Sequence, residues 1–196
     1  MANLASEYKS FTKENIEEGL RAKEFNDAGG MDDAEAFLET ADLDFLEKNK
    51  SALRALANWR PANSIKKLRD NVNAKFPHRD KSSDGIIGDT AHCPGESDHC
   101  PNINDHGVGV VTAIDITHDP TSGCDMRIVT ASIVDSQDRR IKYIIFNRKI
   151  CSSYPHDGTP AWTWRPYPGS NPHNKHAHFS VLADKPKYDD TSEWQI

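Results

Sequence analysis

Between residues 59 and 196 the apolar positions change their period several times. Ile65, Leu68 and Val72 recur at helical spacing after Pro61, with Asn63 or Ser64 as cap, and predict a helix that ends by Phe76-Pro77. Val110 to Thr117 alternates instead, which predicts a strand with Ala113, Asp115 and Thr117 on one face and Ile114 and Ile116 on the other. Asp125 to Asp135 suits a helix, Ile141 to Phe146 a strand closed by Asn147, and His176 to Leu182 a last strand. Strands interleaved with helices, without regular βαβ units, indicate an α+β domain.

The earlier part of the chain has a different texture. Phe11, Ile16, Leu20 and Phe25 keep a rough helical stripe that Gly29-Gly30 ends. Asp32-Asp33 and Asp42 can cap two further helices, the second carrying Leu43, Leu46, Leu53 and Leu56. The expected organisation is therefore a short helical appendage over 1–58 and a main domain over 59–196. Residues 79–109, rich in Gly, Asp, Ser, Cys and His, read as one long loop, and a loop of that length in a compact domain is usually functional.

Charge sharpens the division. Residues 1–58 hold 13 acidic against 7 basic side chains and carry the whole formal charge of −6, while the remainder is balanced. A solvated face is the default reading of such acidity, with a protein partner for the N-terminal helices as the alternative. No basic stripe is present, which excludes nucleic acid as the expected partner. No apolar run approaches the roughly 20 residues of a membrane span, and residues 1–10 lack a Sec-type signal. Four cysteines do not form paired CxxC motifs. Reduced thiols are the expectation, with a Cys93–Cys100 disulfide as the alternative in an oxidising compartment.

Candidate chemistry concentrates in three places. On the last strand His176, His178 and Ser180 share a face, so two imidazoles converge. Asp115 is a carboxylate amid apolar residues and requires a cation, a metal or several donors, a structural salt bridge being the plain alternative. Ser97-Asp98-His99 offers a third imidazole. Two histidines and one carboxylate with an open position make a catalytic zinc set, unless Cys93 or Cys100 displaces one of them.

Ser97-x-His99, Ala113-x-Asp115 and His176-x-His178 resemble the zinc motifs of the D-alanyl-D-alanine carboxypeptidase family, whose metal site is shared with lysostaphin-type peptidases and the hedgehog domain. The resemblance runs from about Trp59 to Leu182. Trp59-Arg60-Pro61, Ser83-Asp84-Gly85, the string from Ile87 to His92, the string from Ala113 to Pro120 and the string from Arg165 to His173 are similar to a branch common in bacteriophage and prophage proteins. The resemblance implies a small antiparallel sheet with flanking helices carrying Zn²⁺ on His99, Asp115 and His178. It also implies a peptidoglycan stem peptide or cross-link as substrate, often cut at a D-amino acid, so that a protein made in the cytoplasm acts on the cell wall after release or export.

Two departures concern mechanism. Sixteen positions separate His99 from Asp115, more than the family's usual spacing, and Lys175 stands where many relatives carry an acidic general base. His176 and His173 are then the candidates to carry the proton. Ser97, Arg140 and Tyr167 are the candidates for substrate contact. Ser97 can alternatively bond its own loop, Arg140 can be a salt-bridging residue, and packing is the alternative for at least two of Trp162, Trp164 and Tyr167. Against the peptidase stand two other classes: a zinc-containing wall-binding module without turnover, and a structural module of a phage particle or secretion machine.

Overall fold

The computed structural model describes residues 58–88, 93 and 96–196. The three helices expected before Asn58 lie outside the described residues, as does Asp89 to His92. Two compact units are present: the described part of Met1–Arg60 with Ile87–Val111, and Pro61–Ile86 with Thr112–Ile196.

The first unit is built on three short strands, β1 (Trp59–Pro61), β2 (Ile103–Asp105) and β3 (Val108–Val111), in the order β1-β3-β2. β2 and β3 form an antiparallel hairpin in which Ile103 faces Val110 and Asp105 faces Val108. Its turn residues, His106 and Gly107, both have positive φ, 54° and 86°. That left-handed pair matches the right-handed twist of the flanking strands. Asn104 Oδ1 accepts from Gly107 N at 2.7 Å, and Arg60 pairs with Asp105 at 2.8 Å. The segment expected as one long loop thus contains β2 and the start of β3, the two arms of that hairpin.

The second unit carries helix α1 (Asn63–Lys75), β4 (Ala113–Thr117), α2 (Met126–Ser136), β5 (Ile141–Phe146), β6 (Lys149–Ser152), β7 (Trp164–Pro166), β8 (His176–Val181) and the short α3 (Lys185–Tyr188). Its sheet has the order β4-β8-β5-β6-β7, and every pair in it is antiparallel. This is the α+β architecture that the periodicities predict. The strand expected over 110–117 is, however, two strands: β3 ends at Val111, and β4 begins at Ala113 in the other sheet. Alternation alone does not register such a break, because the apolar run continues through it.

Ile114, Ile116, Ala177, Phe179, Val181 and Ile144 are completely buried and point to one face; α1 packs on β4 and β8 with Ile65, Leu68 and Val72, and α2 on β5 and β8 with Val129 and Ile133. Full burial of a side chain such as Phe179 stabilises the fold by roughly 1.5–3 kcal/mol. Neither Asn63 nor Ser64 caps α1. The cap position is Ala62, without a side-chain bond, and Asn63 N donates to Asp189 Oδ1 at 3.4 Å. At the start of α2, Asp125 accepts from Arg127 N, and Met126 N donates to Nδ1 of His118 at 3.1 Å.

A buried polar network ties the 79–85 segment to β4. Asp84 accepts from Arg79 Nη1 at 2.8 Å, from Arg79 Nη2, from Thr117 N at 2.9 Å and from Thr117 Oγ1 at 2.8 Å. Gly85 then makes a two-way backbone bridge with Asp115, whose N donates to Gly85 O at 2.7 Å. The edge strand β4 is thereby held on its outer side as well as by β8, so the backbone of Asp115 is fixed from both sides.

Candidate metal centre

Strand pairing sets the site. Asp115 on β4 lies directly opposite His178 on β8, and Thr117 lies opposite His176. Directly opposed residues project to the same side, so Asp115, His176 and His178 share the face away from Ile114 and Phe179. His178 Nδ1 lies 3.1 Å from Asp115 Oδ1, and His176 Nε2 lies 3.5 Å from Oδ2 of the same carboxylate. Each oxygen of the Asp115 carboxylate thus faces an imidazole.

His99, Asp115 and His178 each offer one ligand atom, and these atoms all lie within 4.8 Å of one another. Ligand atoms about 2.0–2.2 Å from a tetrahedral zinc lie about 3.3–3.5 Å apart, so side-chain adjustments on the order of 1 Å close the group on an ion. His178 is buried, and His99 and Asp115 are half-buried. The group can bind a metal ion.

The cysteines do not compete for it. Cys93 and Cys100 are joined in a disulfide, contrary to the expectation of reduced thiols, so neither sulfur is available as a thiolate. The spacing of seven was compatible with that bond but did not require it. Burial pushes the free thiols of Cys124 and Cys151 up to about 11, which keeps them protonated near neutral pH. The donors left to a metal here are nitrogen and oxygen.

The other expected site residues divide. His173 is buried, with its ring centroid 5.1 Å from that of His176 and 5.8 Å from that of His178. Its Nδ1 lies 2.9 Å from the Asn171 carbonyl, which can only accept. In the neutral ring this places the proton on Nδ1 and leaves Nε2 as the basic nitrogen. His173 has φ 48°, a left-handed conformation that costs a non-glycine residue about 1–2 kcal/mol. Its carbonyl accepts from Asn147 N at 2.9 Å, and Pro172 O accepts from Arg148 N at 2.8 Å, so the β5–β6 hairpin tip holds this conformation. Tyr167 packs edge-on against His173 at 5.3 Å.

Ser97 Oγ accepts from His99 N at 3.2 Å, the own-loop bond that was the alternative to substrate contact. Arg140 takes up its salt-bridging alternative. Its guanidinium pairs with Asp138, donates to the Ser192 carbonyl at 2.7 Å and stacks 3.6 Å over the ring of Trp194. These partners give no support to a substrate contact by Arg140.

Sequence reasoning missed Tyr143, whose ring stacks on His178 at 5.4 Å with 10° between planes. The alternation of β5 carried the signal, since Tyr143 and Ile145 share one face of that strand. The chain matches no family model, and neither the curated proteins nor the solved structures include one that matches it.

Proposed function

We propose that the protein is a zinc-dependent peptidase that hydrolyses a peptide bond in peptidoglycan stem peptides or cross-links, at a D-amino acid, on the wall side of the cell envelope. One observation carries the catalytic part of this reading. Three ligand atoms from residues far apart in sequence converge to within 4.8 Å, with two further imidazoles packed beside them. An imidazole–imidazole–carboxylate set suits zinc better than the all-oxygen sites of magnesium or calcium. The substrate class rests on the motif strings that resemble the D-alanyl-D-alanine carboxypeptidase family.

His99, Asp115 and His178 would hold the zinc ion, which when bound would supply Lewis-acid polarisation of a carbonyl and acidify water. His176, against Asp115 Oδ2, takes a proton from the attacking water and returns it to the leaving amine. His173, with its basic Nε2 set by the Asn171 carbonyl, stands beside His176 as the second proton acceptor. Tyr143 covers one face of the His178 ring and fixes its plane.

Digestion of purified peptidoglycan with the zinc-loaded full chain, read by mass spectrometry of the released fragments, tests the proposal. New peptide termini that disappear with chelator support it. Intact peptidoglycan together with stoichiometric zinc would favour the wall-binding alternative.

A further inference from the structure

The sheet face that carries His176 and His178 continues beyond them. Asp115 pairs with His178, His178 with Ile145, Ile145 with Ile150, and Ile150 with Arg165. Each step joins directly opposed residues, so the five side chains form one row on one face, running from the metal group to the edge strand β7. At about 4.8 Å per strand, Arg165 stands three strands and about 14 Å from His178. The adjacent row contains Ser180, Tyr143 and Ser152.

Arg165 is half-buried, and its Nη1 donates to the hydroxyl of the buried Ser152 at 3.0 Å. Among the described residues no carboxylate pairs with it. Arg60, Arg79, Arg127, Arg139 and Arg140, by contrast, each have an aspartate within 2.9 Å. Drawing a guanidinium out of water is costly, and a bidentate anion is its best-fitting partner. The two side chains between it and the metal group in the row are apolar, Ile145 buried and Ile150 half-buried, so no charged side chain of the row stands between them.

We propose that Arg165, oriented by Ser152, is a carboxylate-binding subsite for the peptide that the metal group acts on. This deepens the peptidase reading and rests on it. An extended peptide advances about 3.3–3.6 Å per residue, so the recognised carboxylate lies about four residues from the bond at the metal. The ligand class is an acidic peptide, with the anion remote from the scissile bond.

The test is fluorescence anisotropy on the zinc-loaded full chain with two probes. One is labelled L-Ala-γ-D-Glu-L-Lys-D-Ala-D-Ala amide, and the other is the same peptide with D-isoglutamine in place of the glutamate. The wild type is expected to bind the glutamate probe about tenfold more tightly, with Arg165→Gln removing the difference and Arg165→Lys restoring part of it. Binding of the isoglutamine probe should not change in Arg165→Gln. An equal preference in wild type and Arg165→Gln, or no binding of either probe, would overturn the subsite. Cleavage of the probes is followed in parallel: an Arg165-dependent preference without hydrolysis would sink the peptidase reading and keep the subsite, and hydrolysis without the preference would do the reverse.

Discussion

Asp84→Ala tests whether the 79–85 segment is part of the metal centre's support. The substitution removes a carboxylate that accepts four hydrogen bonds, two from Arg79 and two from Thr117. The Arg79 side chain is 0% exposed, so it is left as a buried cation. Removing one member of a buried pair costs about 3–5 kcal/mol, a large share of the roughly 5–15 kcal/mol that holds a domain folded. Thr117→Val, which removes the hydroxyl's bond to Asp84 and the one it accepts from Ser83 N, should cost about 1–3 kcal/mol. Replacing Arg79 by Met and Asp84 by Leu together should cost less than Asp84→Ala, because no unpaired charge remains. Urea unfolding of the zinc-loaded chain measures all three, with an unchanged m-value as the check that only stability has moved. A cost below about 1 kcal/mol for Asp84→Ala, or additive effects of single replacements at Arg79 and Asp84, would refute the reasoning.

Acid should destabilise the chain in a definite window. Bonds from Thr121, Asp80 and Ser122 hold the Asp119 carboxyl well below the usual carboxylate range, as bonds from Ser192 and Arg139 do for Asp190. Because their folded pKa values are depressed, their stabilisation is complete above about pH 4 and is lost as pH falls toward the folded values. Urea midpoints should fall steeply below pH 4 and change little between pH 5 and 7, and Asp119→Asn should flatten that fall. Cys93→Ser should lower stability by about 2 kcal/mol through the lost loop closure and weaken zinc retention, read by competition with a chromogenic chelator. His176→Ala should keep the zinc and lose roughly 10²–10⁴-fold in peptidoglycan cleavage, and full activity there with activity lost in His173→Ala would move the proton carrier to His173.

Much of the fold was legible because local periodicity and burial coincide. Ile65, Leu68 and Val72 lie buried on α1, β5 and β8 match the expected strands within a residue, and β4 takes the second part of the alternation expected over 110–117. The strands β1, β2, β6 and β7 were not predicted. At three or four residues each they are too short for alternation to be seen, and only pairing makes them strands. The candidate site was legible at Asp115, His176 and His178, where one strand face sets direction. At Arg140 the salt-bridging alternative was legible in Asp138 two residues away, whereas its contacts with Ser192 and Trp194 were not, because that tail is brought in by bonds from Trp194 to Asn71 and Ser64. The disulfide was undetermined for a similar reason: two cysteines seven apart are compatible with a bond, and only the loop geometry decides it.

His99, Asp115 and His178 form a group that could hold a metal ion, proposed above to be zinc. Elemental analysis of the full chain purified with added zinc, set beside His178→Ala prepared identically, tests it most directly. The account predicts one zinc per wild-type chain and almost none in the variant, with the variant still folded by circular dichroism. Equal zinc in the two proteins, or none in the wild type, would contradict it.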